Sequence, residues 1–168
     1  LTLTRLESGT MRLNRVPVLP GVLARSIVEE LSESNTTRGL LLHLDVEPDL
    51  PVVNLDPTRI EQVMYNLVGN AAKYSPAGGQ IQVEVRHDAA REEVQFRVTD
   101  HGPGIPAQHL PHIFERFYRV EKSRERGRGG TGLGLSIVKH VVLAHRGRVW
   151  AESEPGKGTS VTFTVPVH

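Results

Sequence analysis

The amino-acid sequence predicts a two-layer α/β sandwich, in which helices cover one face of a mixed, mostly antiparallel sheet. Apolar residues recur at helical spacing in three segments, near residues 22–31, 57–74 and 133–147. Alternating apolar and polar residues occur in two adjacent pairs of segments, IQVEVRH with EVQFRVTD and RVWAES with SVTFTVPV. Hairpins separated in this way from the helices favour antiparallel pairing with the helices packed on one face.

The composition indicates one folded domain without a global charge bias. The chain has 168 residues, 38% of them hydrophobic, a formal net charge of +1 and no cysteine. The charge balance argues against a general affinity for nucleic acid or anionic membranes, and the lack of cysteine excludes disulfides and thiolate metal sites. There is neither a run of 18 apolar residues nor a signal-peptide pattern at the start, so we expect a cytoplasmic location.

The first elements follow from prolines and apolar spacing. Residues 1–14 are predicted to be the end of a helix arriving from upstream, and residues 15–168 to be a single domain. Pro20 precedes the first complete helix, whose inward positions include Ile27 and Leu31. The short apolar runs LLLHLDV and PVVNLD, which end at Pro or Asp, are typical of strands.

The second helix, about 57–74, carries a polar strip beside its buried face. At about 100° per residue, Asn66, Asn70 and Lys73 lie close together, and Tyr74 lies at the apolar edge. A single such residue is most simply the boundary of an amphipathic helix, but two amides and a cation on one strip indicate a function. The expected buried stripe has six members: Ile60, Val63, Met64, Leu67, Val68 and Ala71.

Asp100 continues the buried face of a strand. The inward positions of EVQFRVTD are Val94, Phe96 and Val98, and Asp100 is next in phase. A buried carboxylate needs hydrogen-bond donors, because an unpaired charge in a low dielectric is very costly. The simpler alternative is that Asp100 only begins the turn DHGPG, where Asp is common.

A long glycine-rich, basic loop from Gly102 to Gly132 leads into the third helix at GGTGLGL. Loops of this length inside a compact domain are usually functional or disordered, and we expect a long mobile loop with one short helix. The free N–H groups of a helix N-terminus flanked by glycines suit a phosphate chain. No G-x-x-x-x-G-K-[ST] motif is present, so the predicted phosphate site has another design.

These features together predict a purine nucleotide with magnesium. Asp100 would accept a hydrogen bond from an exocyclic amine, and Lys73 would neutralise phosphate charge. Asn70 offers an amide oxygen, which is the type of ligand that Mg²⁺ prefers beside water and phosphate.

Four ordered segments resemble the sensor histidine kinase catalytic domain, from about residue 15 to 166. NLVGNAAKYSP resembles its N box, VTDHGPGIP its first glycine box, HIFERFYRV its F box and GGTGLGLSIVKHVV its second glycine box. That domain belongs to the ATPase superfamily shared with gyrase, MutL-type repair proteins and heat-shock chaperones. The resemblance implies ATP and Mg²⁺ as ligands and makes the long loop an ATP lid.

The resemblance also implies residue roles. Asp100 would take the adenine amine, Asn70 would hold Mg²⁺, and Tyr74 would stack near the base. The predicted catalytic residues, which meet the phosphates, are Asn66, Lys73 and Arg119. Phe114 and Phe117 would be hinge contacts of the lid, with local core as an equally good alternative. The remaining predicted nucleotide contacts are Gly102, Gly104, Ile105, Gly130, Thr131, Gly132, Leu133, Gly134, Leu135 and Thr159.

One position distinguishes phosphotransfer from hydrolysis within the superfamily. In the gyrase-like branch a glutamate one turn before the magnesium asparagine activates water, and here that position is Asn66, whose amide cannot take a proton at neutral pH. The resemblance therefore favours transfer to a histidine of a separate domain. Residues 1–14 resemble the end of the dimerisation and phosphotransfer hairpin, so we expect the acceptor histidine upstream of Leu1.

The expected partners are that phosphoacceptor domain and a response regulator, and no nucleic acid. We expect this chain to be monomeric and the full-length protein to be a homodimer. The sequence does not decide whether the full-length protein is anchored in a membrane. Two alternatives are an ATP-hydrolysing member of the superfamily and a nucleic-acid binder using Arg124, Arg126 and Arg128. His109 and His112 form a lone H-x-x-H pair without a third ligand, which does not predict a metal site.

Overall fold

The computed structural model describes residues 11–118 and 134–168. Residues 11–15 are irregular, so the helix end predicted over residues 1–14 does not extend to residues 11–14, and its earlier part lies outside the described residues. The domain division between 14 and 15 stays a prediction. The elements, in chain order, are β1 (Val16–Val18), α1 (Pro20–Ser32), β2 (Leu41–Val46), β3 (Val53–Leu55), α2 (Pro57–Tyr74), β4 (Gln80–Asp88), β5 (Glu93–Asp100), α3 (Gly134–Ala144), β6 (Val149–Glu154) and β7 (Gly158–Pro166).

The main sheet has five strands in the order β2-β4-β5-β7-β6. Strand β2 pairs with β4 in parallel, whereas the β4–β5, β5–β7 and β6–β7 pairs are antiparallel. The helices bury their apolar faces against one side of this sheet, and the opposite side carries exposed ion pairs such as Arg86–Asp45 and Arg97–Glu152. The predicted two-layer sandwich with a mixed, mostly antiparallel sheet is confirmed.

The core lies between the inner face of the sheet and the helices α1, α2 and α3. All six residues predicted for the buried stripe of α2 are buried. Phe96 and Phe163 are register partners on β5 and β7, and their rings stack with centroids 4.8 Å apart. Aromatic pairs of this kind add roughly 0.5–1.5 kcal/mol beyond the burial of their area.

Helix α2 begins where the sequence predicts, because Asp56 caps it. The Asp56 side chain accepts hydrogen bonds from the backbone N–H groups of Thr58 and Arg59, and Pro57 occupies the first turn, where its missing N–H costs nothing. This start fixes the register of the polar strip further along the helix.

A second, two-stranded sheet was not predicted. Strand β1 pairs antiparallel with β3, with Pro17 opposite Asn54. The proline obscured this strand in the sequence, because proline cannot donate to a ladder and is confined to edge strands. In the described part of the long loop, the short helix that the sequence predicts corresponds to a 3₁₀ turn at Leu110–His112. None of the helices in the described ranges is long and apolar enough to cross a bilayer.

Candidate functional site

A row of polar side chains crosses the inner face at one end of the sheet. Asp100 on β5 is the register partner of Thr159 on β7, which in turn is the partner of Ser153 on β6. The preceding inner row is apolar, with Val98 opposite Val161. The apolar core therefore gives way to hydrogen-bonding groups at this end, which is the expected floor of a polar ligand site.

Asp100 is buried, with 8% of its surface exposed, and its carboxylate accepts a hydrogen bond from the backbone N–H of Gly102 at 2.8 Å. Burial raises the pKa of Asp100 above its usual range, and hydrogen bonds from the backbone N–H groups of Gly102 and Thr159 oppose that rise. A carboxylate has about four acceptor positions, so these two donors leave capacity for a ligand amine. Asp100 therefore begins the turn and is also buried on the inner face of the sheet, and its role in binding a ligand stays a prediction.

Close backbone contacts hold the turn after Asp100 in place. A Cβ atom on Gly102 would lie 2.5 Å from the carbonyl oxygen of Tyr74, at the end of α2. On Gly104, where φ is 80°, a Cβ atom would lie 2.2 Å from the carbonyl oxygen of Glu154. These two glycines are therefore required by packing at the floor of the site, whether or not they also contribute to a lid.

Ser153 is a residue of this site that sequence reasoning missed. Its Oγ accepts a hydrogen bond from the backbone N–H of Ile105 at 2.7 Å and lies 2.9 Å from Oγ1 of Thr159. It also donates to the Gly158 carbonyl oxygen at 2.8 Å. Ser153 thus positions Ile105 and Thr159, two of the predicted nucleotide contacts. The inward phase of RVWAES was the signal that could have revealed it.

The polar strip of α2 borders the same end of the core. Asn66 donates through Nδ2 to the Gly134 carbonyl oxygen at 3.4 Å, which joins the strip to the first residue of α3. Asn70 and Lys73 are half-buried, as the boundary position predicts, and Tyr74 is 37% exposed. The structure therefore brings Asn66 to the start of α3 and the end of α2 to the turn after Asp100.

Several predicted residues lie outside the described ranges, namely Arg119, Gly130, Thr131, Gly132 and Leu133. Gly134 and Leu135 are described and form the first turn of α3. Of the two predicted hinge phenylalanines, Phe114 is half-buried. Phe117 is 57% exposed with φ of 67°, so the alternative that it belongs to a local core is wrong.

The H-x-x-H pair is occupied by protein contacts. His109 Nδ1 bonds the hydroxyl of Tyr118, and His112 Nδ1 lies 2.6 Å from a carboxylate oxygen of Glu115. Within residues 11–118 and 134–168, no three His, Asp or Glu side chains are grouped so that they could hold a metal ion.

The arrangement can recognise a ligand with a hydrogen-bond donor at one end and negative charge at the other. A buried carboxylate beside Thr159 suits an amine, and the strip with Asn66 and Lys73, next to a helix N-terminus, suits phosphates. Together with a two-layer sandwich, this defines the class of nucleotide-binding α/β domains.

Comparison with known proteins gives the family. The family model described as "Histidine kinase-, DNA gyrase B-, and HSP90-like ATPase" matches residues 55–168. The adaptive-response sensory kinase SasA of Synechococcus sp. (strain JA-2-3B'a(2-13)) is 43% identical over 150 residues, which cover 89% of this chain and 39% of that protein. The sensor histidine kinase WalK of Bacillus subtilis (strain 168) is 44% identical over 128 residues, covering 74% of this chain and 21% of WalK.

Solved structures agree with the sequence relatives. Full-length ShkA in complex with AMPPNP superposes with a TM-score of 0.83 at 31% identity, over 97% of this chain and 33% of ShkA. The mycobacterial sensor histidine kinase MprB superposes with a TM-score of 0.75 at 29% identity, over 90% of this chain and 97% of that chain. The chain belongs to the histidine kinase-, gyrase- and HSP90-like ATPase family, as a sensor histidine kinase ATP-binding catalytic domain.

The resemblance found in the four motifs is thereby confirmed, together with the expectation of an ATP-binding domain. The chain spans about two fifths of the length of the SasA relative, at 39%. The activity of the whole protein, its partners and the roles of single residues therefore belong to the proposal that follows.

Proposed function

We propose that the protein containing this domain transfers the γ-phosphate of ATP to a histidine of a phosphoacceptor domain, from which the phosphoryl group passes to a response regulator. The imidazole nitrogen forms a bond to the γ-phosphorus while the bond from that phosphorus to the β–γ bridging oxygen breaks. ADP leaves with the electron pair, and the imidazole releases a proton to solvent.

The observation that carries this proposal is the identity and position of Asn66. Its side chain contacts Gly134 at the start of α3, and its position in the motif is the one at which the resemblance implies a general base in hydrolysing members of the superfamily. An amide cannot accept a proton at neutral pH, so water is not activated from this position. The γ-phosphate is then retained until a stronger nucleophile arrives, and an imidazole is one.

In this proposal the residues hold the two ends of ATP. Asp100 accepts a hydrogen bond from the adenine amine, and Thr159, positioned by Ser153, lies beside it. Asn66 and Lys73 contact phosphate oxygens from α2, and Tyr74 stacks near the base. Arg119 and the glycines of the second glycine box complete the phosphate contacts as implied by the family motifs.

Asn70 is the residue proposed to hold Mg²⁺. Its half-buried amide lies on the strip between Asn66 and Lys73, and one amide oxygen fits a cation that keeps most of its coordination for water and phosphate oxygens. When bound, the cation neutralises charge on the β- and γ-phosphates. Asn70 would hold the bound cation at a fixed position relative to α2.

The test is labelling with ATP radioactive at the γ position. The chain alone is expected to bind ATP with Mg²⁺ without labelling itself, and to label an added phosphoacceptor domain with acid-labile, base-stable phosphate. Asp100→Asn should abolish most of this transfer at limiting ATP. Asp88→Asn, at the opposite end of the β4–β5 hairpin, is the matched control and should retain it.

Two results would contradict the proposal. Label on a histidine of this chain would reverse the assignment of acceptor and donor. Steady phosphate release without any acceptor, abolished by Asn66→Ala, would instead support the hydrolysing alternative. The expected cytoplasmic location, a monomeric chain, a homodimeric full-length protein and no nucleic-acid binding stay predictions.

A further inference from the structure

Hydrogen bonds join α3 to α2 at both ends of α3, one to the middle of α2 and one to its start. At the nucleotide end, Asn66 Nδ2 donates to the Gly134 carbonyl oxygen at 3.4 Å. At the far end, the backbone N–H of Asp56 donates to Nε2 of His145 at 3.0 Å. These joints require the helices to run antiparallel. At 1.5 Å per residue, the two hydrogen-bonded positions are about 15 Å apart along α2, from Asp56 to Asn66, and about 16 Å apart along α3, from Gly134 to His145. The two spacings therefore match.

The far joint depends on a buried histidine in one protonation state. His145 is 3% exposed, and its Nδ1 lies 2.9 Å from the Val141 carbonyl oxygen. Nδ1 therefore carries the proton and donates, which leaves Nε2 as the acceptor for Asp56. Burial lowers the pKa of His145, and the charge of Arg15 lowers it further, whereas the bond to Val141 and the charge of Asp56 oppose this. The neutral imidazole that the joint requires is thus favoured.

Residues 14–18 contact both helices at this joint. The backbone N–H of Asn14 donates to Oδ2 of Asp56 at 2.9 Å, while Oδ1 of the same carboxylate caps α2. The guanidinium of Arg15 donates to the Ala144 carbonyl oxygen, at the end of α3, at 2.9 Å. Residues Val16–Val18 pair with β3, which directly precedes Asp56. The entering segment therefore contacts the start of α2 and the end of α3 together.

We infer that this joint is a coupling site through which the position of residues 14–18 sets the approach of Asn66 to Gly134 at the nucleotide end. His145 and Asp56 act as positioning residues. Val63 and Leu67 of α2 and Val138 and Val141 of α3 are buried in the same core cluster, the two helices are in contact, and packed interiors transmit displacement. The inference rests on the proposed nucleotide site only for its effect on ATP affinity.

The same contacts would exist if the joint were merely structural, so the test must separate coupling from stability. Three variants change the joint in different ways. His145→Gln places an amide oxygen near the position of Nε2 and can keep the bond to Asp56. His145→Asn is shorter, reaches only towards Val141 and loses that bond. Arg15→Ala removes the contact of the segment with α3, and Arg25→Ala, an exposed arginine on α1, is its matched control.

Two readouts are measured for each variant, beside the free energy of unfolding in urea. The first is the NMR signal of the Asn66 side-chain amide in the nucleotide-free protein. The second is the Kd for AMPPNP with Mg²⁺ by calorimetry. We expect Arg15→Ala and His145→Asn to shift the Asn66 signal and to weaken AMPPNP binding about 3-fold or more. His145→Gln and Arg25→Ala should leave both readouts near wild type.

The outcomes separate the two hypotheses. If His145→Asn and Arg15→Ala lower stability but leave the Asn66 signal and the AMPPNP Kd unchanged, the coupling is overturned and the joint is structural. If wild type binds no AMPPNP, the proposed function fails, and the response of the Asn66 amide alone still decides the coupling. An Asn66 signal that responds equally to Arg25→Ala also overturns it.

Discussion

The Asp100 carboxylate accepts a hydrogen bond from the backbone N–H of Gly102, two residues later, at 2.8 Å while remaining buried at the end of β5. Asp100 therefore belongs both to the turn that follows β5 and to the candidate site for the adenine base. The bond orders the chain as it leaves the sheet, and the register of β5 keeps the carboxylate on the inner face beside Thr159. The role of Asp100 in nucleotide binding and its role in the stability of the fold can be tested separately.

Replacement of Asp100 by Asn should weaken nucleotide binding. The amide keeps an oxygen for Gly102 but presents an NH₂ group where the ligand amine needs an acceptor. We expect a loss of about 1.5–3 kcal/mol, the range for a hydrogen bond to a charged group, or a rise of roughly 10- to 150-fold in Kd. Calorimetric titration with AMPPNP measures it, with Asp88→Asn as control. Wild-type affinity in Asp100→Asn would remove Asp100 from the base site.

The same substitution should not destabilise the fold at neutral pH. Burial raises the pKa of Asp100, so the native state holds more protons than the unfolded state between the ordinary pKa and the raised one. The contribution of Asp100 to stability is therefore greatest below the ordinary pKa and falls as the pH rises through the raised value. Asn has no such titration.

Urea unfolding across pH 3 to 8 measures this difference. The free energy of unfolding of Asp100→Asn minus that of wild type should increase with pH through the acidic range and then level off. A difference that decreases with rising pH would mean that the charged carboxylate is more favourable in the native state than in the unfolded state. That result would contradict the rise in pKa that burial causes.

His145 should give a stability change of the opposite sign. Burial lowers its pKa, so the native state holds fewer protons than the unfolded state just below the ordinary value of about 6.5. The stabilising effect of the neutral imidazole is complete above about pH 6.5 and is lost as the pH falls towards the lowered pKa. His145→Gln lacks this titration, so its difference from wild type isolates one histidine among eight. A difference that is independent of pH would contradict the lowered pKa.

Asn70→Ala should remove the magnesium dependence of nucleotide affinity. If Asn70 holds the cation, AMPPNP binding by the variant should be nearly the same with and without Mg²⁺, whereas wild type should bind more tightly with it. ADP without Mg²⁺ should bind both alike. Asn54→Ala, an exposed asparagine on β3, is the matched control. Undiminished magnesium dependence in Asn70→Ala would exclude it as the ligand.

A pair of Gly→Ala substitutions tests the packing at the floor of the site. In Gly102→Ala the new Cβ would lie 2.5 Å from the Tyr74 carbonyl oxygen, so the backbone must move, at a cost of about 1–3 kcal/mol. In Gly69→Ala, within α2, the new Cβ would meet no atom within 4 Å apart from the neighbouring residues and the backbone of α2 itself, and the helix should gain about 0.5–1 kcal/mol. Urea unfolding of both variants measures this, and equal effects would contradict the close contact at Gly102.

The elements that the sequence predicted correctly are those whose pattern is local. The six apolar positions of α2 recur with the helical period, and the inward phase of β5 runs through Val98 to Asp100. Strand β1 escaped prediction because it has three residues with a proline at its centre, so neither alternation nor propensity could indicate it.

The sequence alone determined the sandwich class, the buried stripe of α2 and the polar strip that includes Asn66, because side-chain periodicity depends only on the geometry of one helix or strand. Tertiary structure alone decided which distant groups meet. Ser153 reaches Ile105 across 48 residues, and Asp56 meets His145 across 89. Such contacts depend on how the sheet and helices pack against each other, and no local pattern specifies the distance between two side chains so far apart in the chain.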